Sequence, residues 1–331
     1  MTNDGFVFPD PGVPKIALER LELSSDKAAR YVQQSRPFVA RVDWPALAWT
    51  PESLRQTVGG SKVKLRKKTG EQVEVTVNEY IDVIDGMRSG TGEYAVMNSP
   101  VIALRGPNAN PDFECLLADI RLPPFVNPER VTEIYVWLKN IGWYDNRSHA
   151  EPNAAANLNL QICGKKHVWL FPPEDAGLLG VASTREDMMG PPYFSAGQTV
   201  YAPSDEHPEF KDVRCYEAVL EPGDIIFIPT FWYHWFVHYD AYQLNVNTWF
   251  YTDQIPLSPV AAEWAFMKAL GVALGGFEGA PARFAALPVE TQELLAQIAR
   301  TLITDRRTTD PRGNKALFEK AKQLDYKLLT K

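Results

Sequence analysis

The strongest constraint in this chain is the rhythm of residues 90–250. Short apolar runs, each about a strand long, are separated by Gly, Pro and Asn turn signals at close intervals. NLNLQICGKKHVWLFPP sets Leu158, Leu160 and Ile162 on one face, turns at Gly164, and resumes with Val168 and Leu170. LEPGDIIFIP is a Pro-Gly turn followed by a compact apolar run, and YQLNVNTWFY is a further strand. Many short strands without helices between them favour a sandwich or closed barrel over a parallel α/β sheet.

The flanks differ in texture. SSDKAARYVQQ offers Ser24 or Ser25 as the cap of a short helix, and RPFVARV reads as a strand. WTPESLRQTVGG predicts a helix with Pro51 in its first turn and a glycine stop. KVKLRKKTGEQVEVTV alternates around Thr69-Gly70 as a hairpin does. Beyond about residue 256, SPVAAEWAFMKALGVALGG, LPVETQELLAQIARTLIT (Leu294, Leu295, Ile298 and Leu302 at helical spacing) and KALFEKAKQLDYKLL read as helices. The expected organisation is one mainly β unit over 1–255, with an N-terminal extension of helices and strands, and a helical tail over 256–331. That tail either packs on the barrel or pairs two subunits in a homodimer.

Composition limits the function classes. A net charge of −7 argues against a general nucleic-acid binder or a ligand for acidic membranes. Cys115, Cys163 and Cys215 are widely spaced with no CxxC pair, as expected of reduced thiols. No apolar run reaches membrane-spanning length, and MTNDGFVFPD has no basic-then-apolar leader pattern, so the expected compartment is the cytoplasm.

Of five histidines, two sit in suggestive settings. His149 opens His149-Ala150-Glu151, and residues i and i+2 of an extended segment face the same side. His234 follows IIFIPTFWY, a buried-strand pattern running into an aromatic turn. Two histidines and one carboxylate with open positions form the facial triad of non-haem Fe(II) oxygenases. Spacing alone is equally compatible with a surface His149 and with a core His234 among Trp232, Tyr233 and Trp235. His167 and His238 read as structural, and His207 as an exposed loop residue.

Three blocks carry a family likeness. RPFVARVDWPALAWT (36–50), NLNLQICGKKHVWLFPP (157–173), and PGDIIFIPTFWYH (222–234) with VNTWF (246–250) occur in the order and style of the JmjC/cupin-like-8 family. That family includes the asparaginyl hydroxylase of hypoxia-inducible factor, and the resemblance spans about residues 20–250. It implies a double-stranded β-helix (cupin/jelly-roll) fold and an Fe(II)- and 2-oxoglutarate-dependent dioxygenase that hydroxylates an unactivated C–H bond. By the same resemblance His234 is the distal metal histidine and Lys166 the 2-oxoglutarate lysine, with Lys165 as a stand-in. Ser148 and Tyr94 are candidates for holding the cosubstrate. Asn157 and Asn247 match asparagines near the metal and cosubstrate, and Trp249 matches an aromatic wall.

The proximal half of the metal site departs from the pattern. The family spacing, counted back from Asn157, lands on Glu151 and Asn153, whereas the histidine stands at His149. Positions 149, 151 and 153 share parity, so a two-residue slip keeps the face but moves the ligands about 6–7 Å along a strand. A kink or bulge, for which Pro152 is a natural seat, would absorb the slip. Either His149, Glu151 and His234 bind Fe(II), or Glu151 and Asn153 hold those places and the protein is a metal-impaired binding module or a cupin enzyme of altered chemistry. The substrate class implied is a protein or peptide side chain or a small molecule, with dioxygen as co-reactant. Residues 174–215 lie between the halves of the proposed site and are expected to form a substrate-covering loop.

Overall fold

The computed structural model describes residues 10–66, 71–87, 102–106, 109–139, 144–151, 155–179, 201–238, 242–253 and 286–294. The expected β architecture is present. A five-stranded sheet takes in β1 (Lys15–Ala17), β8 (Tyr144–His149), β10 (Lys166–Phe171), β11 (Cys215–Leu220) and β13 (Tyr233–His238), in the order β1-β11-β10-β13-β8. A seven-stranded sheet takes in β2 (Arg20–Leu21), β3 (Phe38–Arg41), β6 (Ile102–Arg105), β7 (Val131–Lys139), β9 (Ala156–Cys163), β12 (Asp224–Ile228) and β14 (Gln243–Phe250), ordered β2-β3-β12-β9-β14-β7-β6. The pairings are antiparallel except β1 with β11 and β2 with β3. A hairpin of β4 (Lys62–Arg66) and β5 (Gln72–Thr76) stands apart, at the expected place.

The N-terminal helices form for the reasons legible in sequence. Ser25, the second of the two candidate serines, accepts from the Ala28 amide to cap α1 (Asp26–Gln33). Thr50 and Ser53 make a reciprocal capping box at the start of α2 (Pro51–Val58), which ends at Gly59. With α3 (Val77–Met87) they cover the outer face of the large sheet. There Val32, Leu54, Tyr80 and Ile81 pack with Leu158, Leu160, Phe227, Val136, Leu138 and Val246.

Strict alternation gives the large sheet two different faces. The even residues of β9 and β14 enter that apolar core, so the odd ones, Asn157, Asn159 and Gln161 with Gln243, Asn245, Asn247 and Trp249, turn inward. The two inner faces meet directly. Val39, Ile226 and Ile228 of the large sheet pack on Val168, Leu170 and Phe236 of the small one.

The PGD turn locks this arrangement. Gly223, at φ +91°, lies against the Arg41 side chain and donates to the Gln161 carbonyl. The buried Asp224 meets Arg20 at 2.9 and 3.1 Å and Arg41 at 3.3 Å. Burial raises its carboxyl pKa, but these partners win and hold it below the usual range.

The described part of the 174–215 segment runs along the outer face of the small sheet. Tyr201 packs edge-on to Trp235, and Phe210 is buried beside Phe171. These contacts lie on the face away from the barrel interior; residues 180–200, the middle of the expected covering loop, lie outside the described set. The expected C-terminal helices and dimer face also lie largely outside it, with 289–294 helical. No described helix is long and apolar enough to cross a membrane.

Candidate metal and cosubstrate site

At one end of the barrel, β13 and β8 bring two histidines face to face. His234 and His149 are direct cross-strand partners, with ring centroids 4.4 Å apart. The pairing slips between His234 and Phe236, where residues 146–149 span three steps against two on the partner. Among the described residues an irregularity thus lies before His149, while Pro152, where one was expected, lies outside them. Just past the strand end Glu151 turns in, its Oε1 3.6 Å from His234 Nε2 and accepting from Asn157 Nδ2 at 3.2 Å. One ligand-type atom from each of His149, Glu151 and His234 lies within 4.8 Å of the others.

The ring of His234 is oriented from behind. Its Nδ1 lies 3.1 Å from the Trp232 carbonyl, so that nitrogen carries the proton and Nε2 presents a lone pair toward Glu151. A tight turn supplies that carbonyl, with Trp232 N–H bonded to the Pro229 carbonyl and Phe231 held at φ +63°. Bulky residues rarely adopt this left-handed backbone, and such strain tends to collect at functional sites. Burial first, and the neighbouring His149 second, push the His234 pKa well below the ordinary histidine value. A neutral imidazole is the form that ligates a metal.

Deeper in the barrel the interior stays polar. Lys166 opens β10 and is 1% exposed. Its ammonium crosses to the other sheet to donate to Asn159 Oδ1, and lies 4.7 Å from the Phe236 ring centroid. No carboxylate among the described residues pairs with it. Burial, and then the field of Lys139, push its pKa well below the usual lysine range. The turn lysine is instead Lys165, exposed and 2.7 Å from Glu221, which disposes of it as a stand-in. Asn159 Nδ2 donates to Asn247 Oδ1 at 2.9 Å, and Asn245 Nδ2 donates to the same oxygen at 2.6 Å.

The other expected residues divide. Ser148 is buried with its hydroxyl unpartnered, and Asn157 is buried with Oδ1 unpartnered. Trp249 lies opposite Asn157 and packs edge-on to Tyr135 at 5.4 Å, its indole N–H without an acceptor. Buried polar atoms left without partners call for an explanation, and a polar occupant is one. Tyr94 and Asn153 lie outside the described residues.

Several interior groups escaped the sequence reading. His238, read as structural, is buried inside the barrel opposite Lys166, with Nδ1 3.1 Å from Gln243 Oε1. Lys139, Asn159, Gln161 and Asn245 were not singled out at all. The signal was available in N-x-N-x-Q on one strand and Q-x-N-x-N on another: antiparallel pairing sets Asn159 opposite Asn247 and Gln161 opposite Asn245.

The family profile of the cupin-like domain matches residues 24–254. The chain belongs to the cupin-like, JmjC-type family. Human HSPB1-associated protein 1 is 26% identical to this cupin-like chain over 238 residues, which is 66% of this chain and 48% of the relative. Human tRNA wybutosine-synthesizing protein 5 is 25% identical over 204 residues, 56% of this chain and 61% of the relative. Its zebrafish (Danio rerio) counterpart is 31% identical over 123 residues, 37% and 34% of the two chains. The cupin-like chain thus spans about half the length of the HSPB1-associated relatives it matches.

Proposed function

We propose that this protein is an Fe(II)- and 2-oxoglutarate-dependent dioxygenase that hydroxylates an unactivated C–H bond of a protein or peptide side chain or of a small molecule. One observation carries the reading: a two-histidine, one-carboxylate cluster shares a barrel interior with a buried lysine that has no carboxylate partner among the described residues. His149, Glu151 and His234 are the metal ligands in this reading, and their donor set suits ferrous iron with open coordination positions. When bound there, iron supplies dioxygen activation coupled to oxidative decarboxylation of 2-oxoglutarate.

The chain's own residues do the holding and ordering. Trp232 fixes the His234 tautomer, and Asn157 steadies the Glu151 carboxylate. Lys166, buried at the far side of the same interior, offers an ammonium to the distal carboxylate of a diacid. Ser148 and the Trp249 indole supply unspent hydrogen-bonding groups near the triad. The close-packed wall from Val168 to Phe236 excludes water along one side.

The named relatives include proteins of tRNA modification, but the net charge of −7 on this chain favours a peptide or small-molecule substrate over a polyanion. The test is anaerobic titration with Fe(II) and 2-oxoglutarate, following the weak visible charge-transfer band of the ternary complex. A band in wild type that disappears in His149→Ala supports the assignment. A band that survives in His149→Ala removes His149 from the metal. Absence of the band in wild type at saturating iron and cosubstrate overturns the oxygenase reading in favour of a binding module.

A further inference from the structure

The barrel interior carries a second buried lysine. Lys139 ends β7 on the inward-facing side of the large sheet and is 8% exposed. Its cross-strand partner is Gln243. Gln243 Oε1 accepts from Gln161 Nε2 at 2.9 Å and lies 3.1 Å from His238 Nδ1, and His238 is the cross-strand partner of Lys166. The chain Lys139, Gln243, His238, Lys166 therefore closes around the floor of the interior, spanning both sheets.

This floor is closely packed at its turn. Gly164, at φ +78°, lets the β9–β10 turn approach so closely that a Cβ there would sit 2.2 Å from the Tyr242 carbonyl and 2.5 Å from Gln243 Nε2. Through that approach Gln161 Nε2 donates to the carbonyls of Cys163 and Gly164, and Gln243 Nε2 to that of Lys165. The fully buried Gln161 keeps Oε1 without a partner.

We infer that Lys139 is a second cationic binding residue of the cosubstrate pocket, so that the distal end of a dicarboxylate is read by two ammonium groups, Lys166 and Lys139, from opposite sheets. The inference rests on the cosubstrate reading above and adds the residue that makes the site selective for a dianion. Burial lowers the pKa of both lysines, and the field of Lys139 is felt by Lys166 and by His238 across the same floor. A carboxylate between them relieves desolvation and repulsion together, whereas a monoacid leaves both in place. The pocket therefore discriminates by charge at the end remote from the metal.

The test is calorimetric titration of the Fe(II)-loaded protein without oxygen, comparing 2-oxoglutarate with 2-oxopentanoate, which has the same carbon chain but no distal carboxylate. Lys139→Met and Lys139→Gln should raise the Kd for 2-oxoglutarate at least tenfold and change that for 2-oxopentanoate less than twofold. Equal weakening of both acids would make Lys139 a structural residue and overturn the inference. So would unchanged 2-oxoglutarate binding, while leaving the oxygenase assignment standing. Should wild type bind succinate or glutarate through Lys139 but not 2-oxoglutarate, the two-cation floor survives and the cosubstrate assignment falls. Should it bind no dicarboxylate, both fall.

Discussion

Replacing Lys166 with Met separates folding from binding, and the structure fixes the expected size of each effect. The ammonium is buried, and its hydrogen bond goes to a neutral amide, Asn159 Oδ1. Losing that donor leaves a buried acceptor unsatisfied, at about 1–3 kcal/mol. Removing a desolvated cation and inserting an apolar side chain of similar length works the other way, by about 1–4 kcal/mol in comparable buried sites. The two nearly cancel, so the ligand-free variant should unfold within about 2 kcal/mol of wild type.

Binding has no such compensation. A dicarboxylate deprived of its buried partner loses about 2–5 kcal/mol, and the lower part of that range corresponds to roughly a hundredfold in Kd. At a 2-oxoglutarate concentration of about 100 times the wild-type Kd, wild type gains about 2.7 kcal/mol of stability. The variant, now near its own Kd, gains about 0.4 kcal/mol. Urea unfolding with and without 2-oxoglutarate and a redox-silent divalent metal reads both quantities. A variant that keeps the full ligand-induced gain refutes Lys166 as the diacid partner. A ligand-free loss above about 4 kcal/mol refutes the claim that its ammonium waits for an anion rather than tethering the two sheets.

Other changes probe separate parts of the site. Glu151→Gln keeps the shape but removes the only carboxylate of the triad, and should weaken Fe(II) binding at least tenfold in a competitive chelator titration while the melting temperature moves little. Gly164→Ala forces a Cβ into the Tyr242 carbonyl at φ +78° and should cost about 3 kcal/mol or more in urea unfolding; a change under about 0.5 kcal/mol would refute the close approach. Burial pushes the Lys139 ammonium down to about 8, below its unfolded value near 10.4. The unfolded chain thus binds more protons between those values, so this residue's penalty is full below pH 8 and withdrawn as pH rises toward 10.4, about 3 kcal/mol in all. Wild type should gain stability relative to Lys139→Met from pH 8 to pH 10, and parallel pH profiles would refute it.

How much of this was legible depended on whether the deciding contact was local. His234 could be read from IIFIPTFWYH because strand, turn and ligand are contiguous. The amide ladder of β9 and β14 could have been read from parity, since alternation alone decides which side chains share a face. Counting from Gly164 does not separate Lys166 from Lys165; alternation does, since Lys166 shares parity with the inward-facing Val168 and Leu170. Lys139 was invisible for a different reason. Its segment, VWLKN, reads as a strand ending in a solvated lysine, and its burial comes from pairing with β14, far away in sequence. The bulge that brings His149 level with His234 has no turn-type signature; it follows from matching two strands whose partners are fixed elsewhere.

The arrangement also explains how a barrel this polar inside can fold. An antiparallel sheet ordinarily turns its apolar face to the core and its polar face to water. Here the large sheet is buried on both sides: its apolar side chains pack outward against α1, α2 and α3, and its amides and lysine face the barrel interior. The bulk of the hydrophobic drive is thereby placed between the sheet and the N-terminal helices, outside the barrel, while two smaller clusters form the inner apolar contacts, one around Val168, Leu170, Ile226 and Ile228 and one around Tyr135 and Trp249. The remaining interior is relieved of most of the work of folding, and can keep buried lysines beside amides such as Asn157 and Gln161 whose hydrogen bonds are only partly spent. On this account the N-terminal extension is no appendage to the site. By covering the outer face it allows the inner face to be built for binding rather than for packing.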